Sequence, residues 1–271
     1  MKPAPFEYIR AHTIEEAVAA LKNHADAKIL AGGQSLVPVM NFRLSRPPWL
    51  VDINPVEALK HISFAESSVT IGALVRHQVL LENEELAHKI PVLHQAVQHI
   101  GHWAIRQRGT LGGSVAHADP AAELPAVLVA LGATIRVQTP EGPIHIPAHE
   151  FFVGFYTTVL SADSLVIEVE IPYPPHPVGF YEIARRRGDF ALAGAFVEVA
   201  GPSHGAVTWF GVTPSPMRKA WTTALASDSK ERLLDWERLL EDVSLIDDSR
   251  ERRVMAVSVA ERAYQSVGGG R

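Results

Sequence analysis

Two short segments carry the residue types best suited to chemistry. Ala31-Gly32-Gly33-Gln34-Ser35-Leu36 directly follows an apolar run, and Thr110-Leu111-Gly112-Gly113-Ser114 repeats its ingredients further on. Paired glycines let a backbone approach a ligand closely and reach positive φ. Successive exposed N–H groups form a nest for an anion, and the hydroxyls of Ser35, Thr110 and Ser114 add donors. Two such segments suit a ligand with two phosphates and a long body. A Gly-Gly after a strand also closes ordinary turns, so the pattern alone leaves both readings open. Neither segment has the G-x-G-x-x-G or G-x-x-x-x-G-K-[ST] spacing, which disfavours a Rossmann dinucleotide unit and a nucleotide triphosphatase.

Other reactive side chains have plainer readings. His94, His99 and His102 lie close together but lack the H-E-x-x-H pattern, and read as ordinary helix histidines. His117 follows the second glycine segment, as a cofactor contact or an ordinary core residue. Asp119 either binds a ligand or caps the following turn. Arg185, Arg186 and Arg187 either face a partner or form a solvated cluster. No Ser, His and Asp set signals a nucleophile.

These segments need elements to hold them. Thr13 and Glu16 make a capping box before Ile14, Ala17, Val18 and Leu21 at helical spacing. Strands are expected at 27–31, 49–53, 68–71, 133–138 and 165–171. In the last, Leu165, Ile167, Val169 and Ile171 alternate with Glu168 and Glu170 as in a half-buried strand. Residues 86–106 read mainly as helix, broken by Gly109 to Gly113, and 120–131 as a compact apolar helix. Pro172, Pro174, Pro175 and Pro177 form a stiff linker and the best domain boundary. Three strands follow near 179–184, 191–199 and 206–212. A helix with the stripe Val254, Val257, Ala260, Tyr264 and Val267 ends the chain before a tail at Gly268 to Gly270. The order is α+β without regular βαβ alternation.

Composition narrows the classes. Hydrophobic residues at 47% and charged residues at 20% describe a globular chain of 271 residues. The net charge of −5 and scattered basic residues argue against a nucleic-acid partner. With no cysteine there is no disulfide and no thiolate-held zinc or iron–sulfur site in this chain. No apolar run is long enough to span a membrane or make a signal peptide, so a cytoplasmic protein is expected.

The wording of the glycine segments is more specific than their composition. Ala31 to Pro38, with Met40 and Arg43, resembles the first FAD signature of the flavoproteins of the xanthine dehydrogenase and aerobic carbon monoxide dehydrogenase family. Ile105 to Ser114 resembles the second, continued by Asp119-Pro120, Glu123-Leu124-Pro125 and Gly132-Ala133. Glu170-Ile171-Pro172 and Arg186 to Ala191 also resemble that family.

The resemblance implies a vanillyl-alcohol-oxidase (PCMH) type FAD-binding domain at 1–175, built of two α/β subdomains (about 1–56 and 57–175). A C-terminal domain at 176–271 would carry a three-stranded antiparallel sheet and helices. It implies FAD contacts at Ala31, Gly32, Gly33, Gln34, Ser35 and Leu36 and at Thr110, Gly112, Gly113, Ser114, Ala118 and Asp119, with Glu123 on the ribityl chain. Ile100 and Val166 would pack near the cofactor, and Asp189 and Phe190 would sit on a loop approaching the isoalloxazine. No acid, base or metal ligand is implied. Glu182 stands where some relatives carry a lysine near the flavin, so that role is not transferred. The implied function is an electron-transfer subunit of a molybdenum hydroxylase. Molybdopterin would lie on a large partner and [2Fe–2S] clusters on a small one, in a dimer of heterotrimers. A free-standing FAD oxidase and a non-catalytic FAD-binding assembly subunit are the alternatives.

Overall fold

The computed structural model describes residues 1–268; of the expected tail, residues 269 and 270 lie outside the described residues. The N-terminal unit is a parallel sheet ordered Glu7–Arg10, Trp49–Asp52, Lys28–Leu30, with the helix Ile14–Asn23 as crossover. Half of the capping box forms: Thr13 Oγ1 accepts from Glu16 N at 3.1 Å, while Glu16 Oε2 accepts from His12 N at 2.7 Å, one residue before the cap. The helix buries Ala17, Val18 and Leu21 against Val51 and Ile53.

The second unit is an antiparallel sheet ordered Ile62–Phe64, Ser68–Gly72, Leu165–Pro172, Thr134–Thr139, Gly142–Pro147. Simple alternation does not hold along Leu165–Pro172. A register shift between Val166 and Glu168 lets it serve two cores. Leu165 and Ile167 pack with the N-terminal unit, while Val166, Val169 and Ile171 pack in the main core. Bulges re-aim side chains in this way.

The helix expected over 86–106 is three pieces: Glu84–Lys89, Pro91–His99 and Trp103–Arg106. Pro91 starts a new helix instead of continuing one, and Gly101, at φ 49°, turns the chain before the third. Gly112 and Gly113 are likewise not in a loop. They lie in the first turn of the helix Leu111–His117, capped by Thr110. Pro125 is accommodated in the first turn of the helix Glu123–Ala130, where no intrahelical N–H is required.

The C-terminal sheet has four strands in sequence order among the described residues: Val178–Ala184, Ala191–Gly201, His204–Phe210 and Met217–Trp221. The expected three-stranded sheet thus gains an edge strand, masked in the sequence by Pro214 and Pro216 just before it. One face stacks Phe180, Phe196 and Phe210 onto the main core, with centroids 4.7 Å apart for the first pair and 5.6 Å for Phe196 and Phe210. The other face packs on the helices Ser229–Leu240 and Arg250–Gly268 through Trp209 and Trp236. The buried stripe of the last helix is Ala256, Val257, Val259, Ala260 and Ala263, which keeps the expected Val257 and Ala260, whereas Val254, expected to begin it, is exposed. Small side chains allow the close approach to the sheet that larger ones would block.

Candidate functional site at two glycine segments

The first glycine segment leaves the strand Lys28–Leu30 and enters the helix Leu36–Asn41. Gly33 has φ +70°, in the left-handed region that favours glycine. The N–H groups of Gly32, Gly33, Gln34, Ser35 and Leu36 meet no acceptor among the described residues. Successive unpaired N–H groups on a bent backbone are what an anion nest requires. Ser35 makes no capping bond to the helix, so its hydroxyl remains available.

The second segment differs. The N–H groups of Leu111 and Gly112 donate to the carbonyls of Val75 and Ala73 at 3.0 and 2.8 Å. Gly113 N donates to Thr110 Oγ1 at 3.1 Å. These donors are spent inside the protein, so the segment is not a second nest. Its glycines serve close packing: a Cβ on Gly112 would stand 2.5 Å from the Ala73 Cβ.

The fold presses the two segments together. A Cβ on Gly32 would lie 2.4 Å from the Arg108 carbonyl oxygen and 2.9 Å from the Gly109 Cα. Asn54 and Arg76 tie the contact, and the sequence reading assigned neither. Asn54 Nδ2 donates to the Ala31 carbonyl at 2.9 Å. The Arg76 guanidinium donates to Asn54 Oδ1 at 2.6 Å and to the Arg108 carbonyl.

His77 sits beneath this junction, buried, with Nε2 3.1 Å from Ser114 Oγ. Burial holds its imidazole down, from the ordinary 6.5 to about 4, against the opposing hydrogen bond at Thr110; Arg76 and Arg106 push the same way as burial. A group depressed in the folded state contributes stability above its unfolded value that is lost as pH falls through the folded one. Stability is therefore expected to fall between pH 6.5 and about pH 4, by about 3 kcal/mol for this group. Chemical denaturation across that range should show the drop, and His77→Gln should flatten it. An equally steep fall in the variant would assign it to other groups.

The helix Leu111–His117 carries the chain about 10 Å away from the junction. At its end Ala118 is left-handed, with φ 50°. Asp119 is buried; its Oδ1 accepts from Ala121 N at 2.9 Å, so it caps the turn, and its Oδ2 faces the Tyr156 hydroxyl at 3.4 Å. Glu123 follows, 6% exposed. Burial first, then the charges of Glu182 and Asp119, push its carboxyl up to about 8. Ile100 is half-buried against the main core and Val166 lies within it. Asp189 and Phe190 are exposed on a loop whose Gly188, at φ +84°, leans on Gly101: a Cβ there would stand 2.7 Å from the Gly101 carbonyl oxygen. Beside this loop a cavity of about 270 Å³ is lined by Gln98, Gly101, His102, Trp103, Arg106 and Arg187. His94, His99 and His102 form no metal site, since no cluster of metal-ligating side chains occurs among the described residues.

An unpaired N–H nest, a glycine cradle beside it and buried polar side chains about 10 Å further on fit a ligand with a diphosphate and a polar chain. The comparisons agree. Residues 4–174 match the family described as the FAD binding domain in molybdopterin dehydrogenase. The 6-hydroxypseudooxynicotine dehydrogenase complex subunit alpha of Paenarthrobacter nicotinovorans is 46% identical over 198 residues, covering 72% of this chain and 67% of the relative. The carbon monoxide dehydrogenase medium chain of Hydrogenophaga pseudoflava is 35% identical over 226 residues, covering 81% and 79%. Among solved structures, a chain of quinoline 2-oxidoreductase from Pseudomonas putida 86 superposes with a TM-score of 0.91 at 32% identity, covering 99% of both chains.

Proposed function

The chain belongs to the family of FAD-binding domains of molybdopterin dehydrogenases, and on that premise we propose that it is the flavin-bearing relay of a heterotrimeric molybdenum hydroxylase. When bound, FAD supplies a carrier that takes electrons from iron–sulfur clusters of a small partner and passes them to an external acceptor. The protein's part is binding, orientation and control of water. The observation that carries the reading is the run of unpaired N–H groups from Gly32 to Leu36, pressed against Arg108 and Gly109.

In this reading Ala31, Gly32, Gly33, Gln34, Ser35 and Leu36 hold the diphosphate. Thr110, Gly112, Gly113 and Ser114 let the ligand lie close to the helix start. Ala118 and Asp119 shape the turn beside the ribityl chain, and Glu123 contacts it. Ile100 and Val166 back the flavin end, with Asp189 and Phe190 on the loop that meets the ring. The FAD-binding domain runs over 1–175, divided near 56, and the C-terminal domain over 176–271. The match over residues 4–174 and the prolines between the strands Leu165–Pro172 and Val178–Ala184 support that division. The partners are a large molybdopterin subunit and a small [2Fe–2S] subunit, assembled as a dimer of heterotrimers in the cytoplasm. No helix among the described residues is long and apolar enough to cross a membrane.

Calorimetric titration of flavin-free protein tests the ligand. FAD is expected to bind at least about 100-fold more tightly than FMN, since only the dinucleotide brings a diphosphate to the nest, and that ratio corresponds to about 2.7 kcal/mol. Equal affinity for FMN would overturn the assignment.

A further inference from the structure

The chain is acidic, with a net charge of −5, yet three arginines stand in a row. Arg185, Arg186 and Arg187 are exposed on the loop between the strands Val178–Ala184 and Ala191–Gly201. The arginines in ion pairs among the described residues are others: Arg136, Arg218, Arg232, Arg238, Arg252 and Arg253. Gly188 of the loop abuts Gly101, and Arg187 lines one cavity together with Gly101, His102, Trp103 and Arg106. The loop and the helix Trp103–Arg106 therefore present one surface. Arg106 is fixed in the cavity wall: its Nη1 donates to the carbonyls of Ile100 and Gly101 at 3.0 and 3.1 Å, and its Nε to Gln78 Oε1 at 3.1 Å. Among the described residues no carboxylate lines the cavity. Two aromatics stand out beside these cations. Trp103, at 62%, is the only exposed tryptophan of five, and Phe190, on the loop, is 65% exposed. Exposed aromatics among arginines have the composition of interface hot spots, which are energetic once a partner excludes water from them. At about 270 Å³ the cavity falls below the roughly 300–1,000 Å³ that encloses a small ligand. A second copy of this chain is disfavoured here, because a two-fold contact would set the arginine row against itself.

We propose that this cavity and the arginine row form the docking surface for the small [2Fe–2S] subunit, which meets them with carboxylates. The inference rests on the relay reading, in which Phe190 lies on the loop that meets the flavin ring. A partner seated on that loop brings its cluster near the flavin. Charge points the same way: a cluster of two ferric ions, two sulfides and four thiolates carries net negative charge of its own. The arginine row steers such a partner in, and Trp103 holds it once docked.

Stopped-flow association of the FAD-loaded chain with a complex of the large and small subunits, followed across salt concentration, tests the surface. Arg185→Glu together with Arg187→Glu should slow association at low salt by roughly 10- to 1,000-fold, the range over which charge steers an encounter. The difference should shrink at 1 M salt, where screening acts within about 3 Å. Trp103→Ala should instead raise the dissociation rate, by about 30-fold or more. Lys230→Glu, exposed on the helix Ser229–Leu240 across the C-terminal sheet, should leave both rates close to wild type. All four residues are exposed, so flavin content and circular dichroism of every variant should match wild type. Gln107→Cys, one residue after Arg106, gives this cysteine-free chain a single thiol. A benzophenone attached there should cross-link to the small subunit under light. Wild-type rates in both the double arginine variant and Trp103→Ala would overturn the docking surface and leave the relay reading standing. A cross-link to the large subunit, or to a second copy of this chain, would also overturn it. Failure of the unaltered chain to join its partners would overturn the relay reading, and this surface with it.

Discussion

Gly33→Val is expected to fold and to bind no measurable FAD. Valine at φ +70° is strained, since β-branched residues are outliers in the left-handed region. The added Cβ would meet the Val37 Cγ2 at 3.1 Å and the Leu30 Cδ1 at 3.3 Å. Both are ends of side chains that can yield, so the surrounding sheet should survive. The segment itself relaxes by leaving the left-handed region, and that turns its N–H groups away from the direction they share. Loss of two or more charge-assisted hydrogen bonds to a diphosphate, at about 1.5–3 kcal/mol each, lowers affinity at least about 100-fold. Gly113→Val acts on the other side. Its Cβ would stand 2.7 Å from Thr110 Oγ1, displacing the cap of the helix Leu111–His117 and filling the surface offered to the ligand. Gly32→Ala is the contrasting case. There the clash is with the backbone oxygen of Arg108, so the contact between the two segments should open and the melting temperature fall. Flavin occupancy read from absorbance, beside circular dichroism, separates these outcomes. Full occupancy in both Gly33→Val and Gly113→Val would leave the first segment an ordinary turn and the second an ordinary helix start.

Much of the fold was legible because its signals are local. The capping box at Thr13 and Glu16, the apolar strands and the proline run before Val178 each act over a few residues. What escaped depended on distance. The strand Met217–Trp221 alternates weakly and is recruited by pairing with His204–Phe210. The bulge in Leu165–Pro172 exists because one strand must serve two cores. The same divide runs through the site. Both glycine segments could be singled out from residue type, but not the difference between them. Spending the N–H groups of Leu111 and Gly112 on Val75 and Ala73 is a tertiary fact. So is the clamp of Asn54 and Arg76, polar residues that carry no pattern until the chain brings 54, 76 and 108 together.

Offered an organic substrate under anaerobic conditions, the isolated FAD-loaded chain is expected to leave it unoxidised. A chain without cysteine has no thiolates to ligate iron–sulfur clusters, so it cannot by itself collect electrons from a distant oxidation site. Three polar groups of the site are committed elsewhere: Thr110 caps a helix, Ser114 faces His77, and Asp119 caps a turn. Ser114 Oγ reaches His77 Nε2, but His77 Nδ1 has no partner among the described residues, so no third group orients that base as an activated nucleophile requires. Joined to its large and small partners, the same chain should lose its flavin absorbance when substrate reaches the large subunit, because docking brings a cluster near the flavin. Absorbance of bound flavin, followed with substrate before and after the partners are added, reads the difference as all or none. Gly33→Val, assembled with the same partners, should leave the complex without that signal, and adding FMN should not restore it. Bleaching of the flavin by substrate in the isolated chain would sink the relay and favour a free-standing oxidase, whose substrate must then bind within this chain.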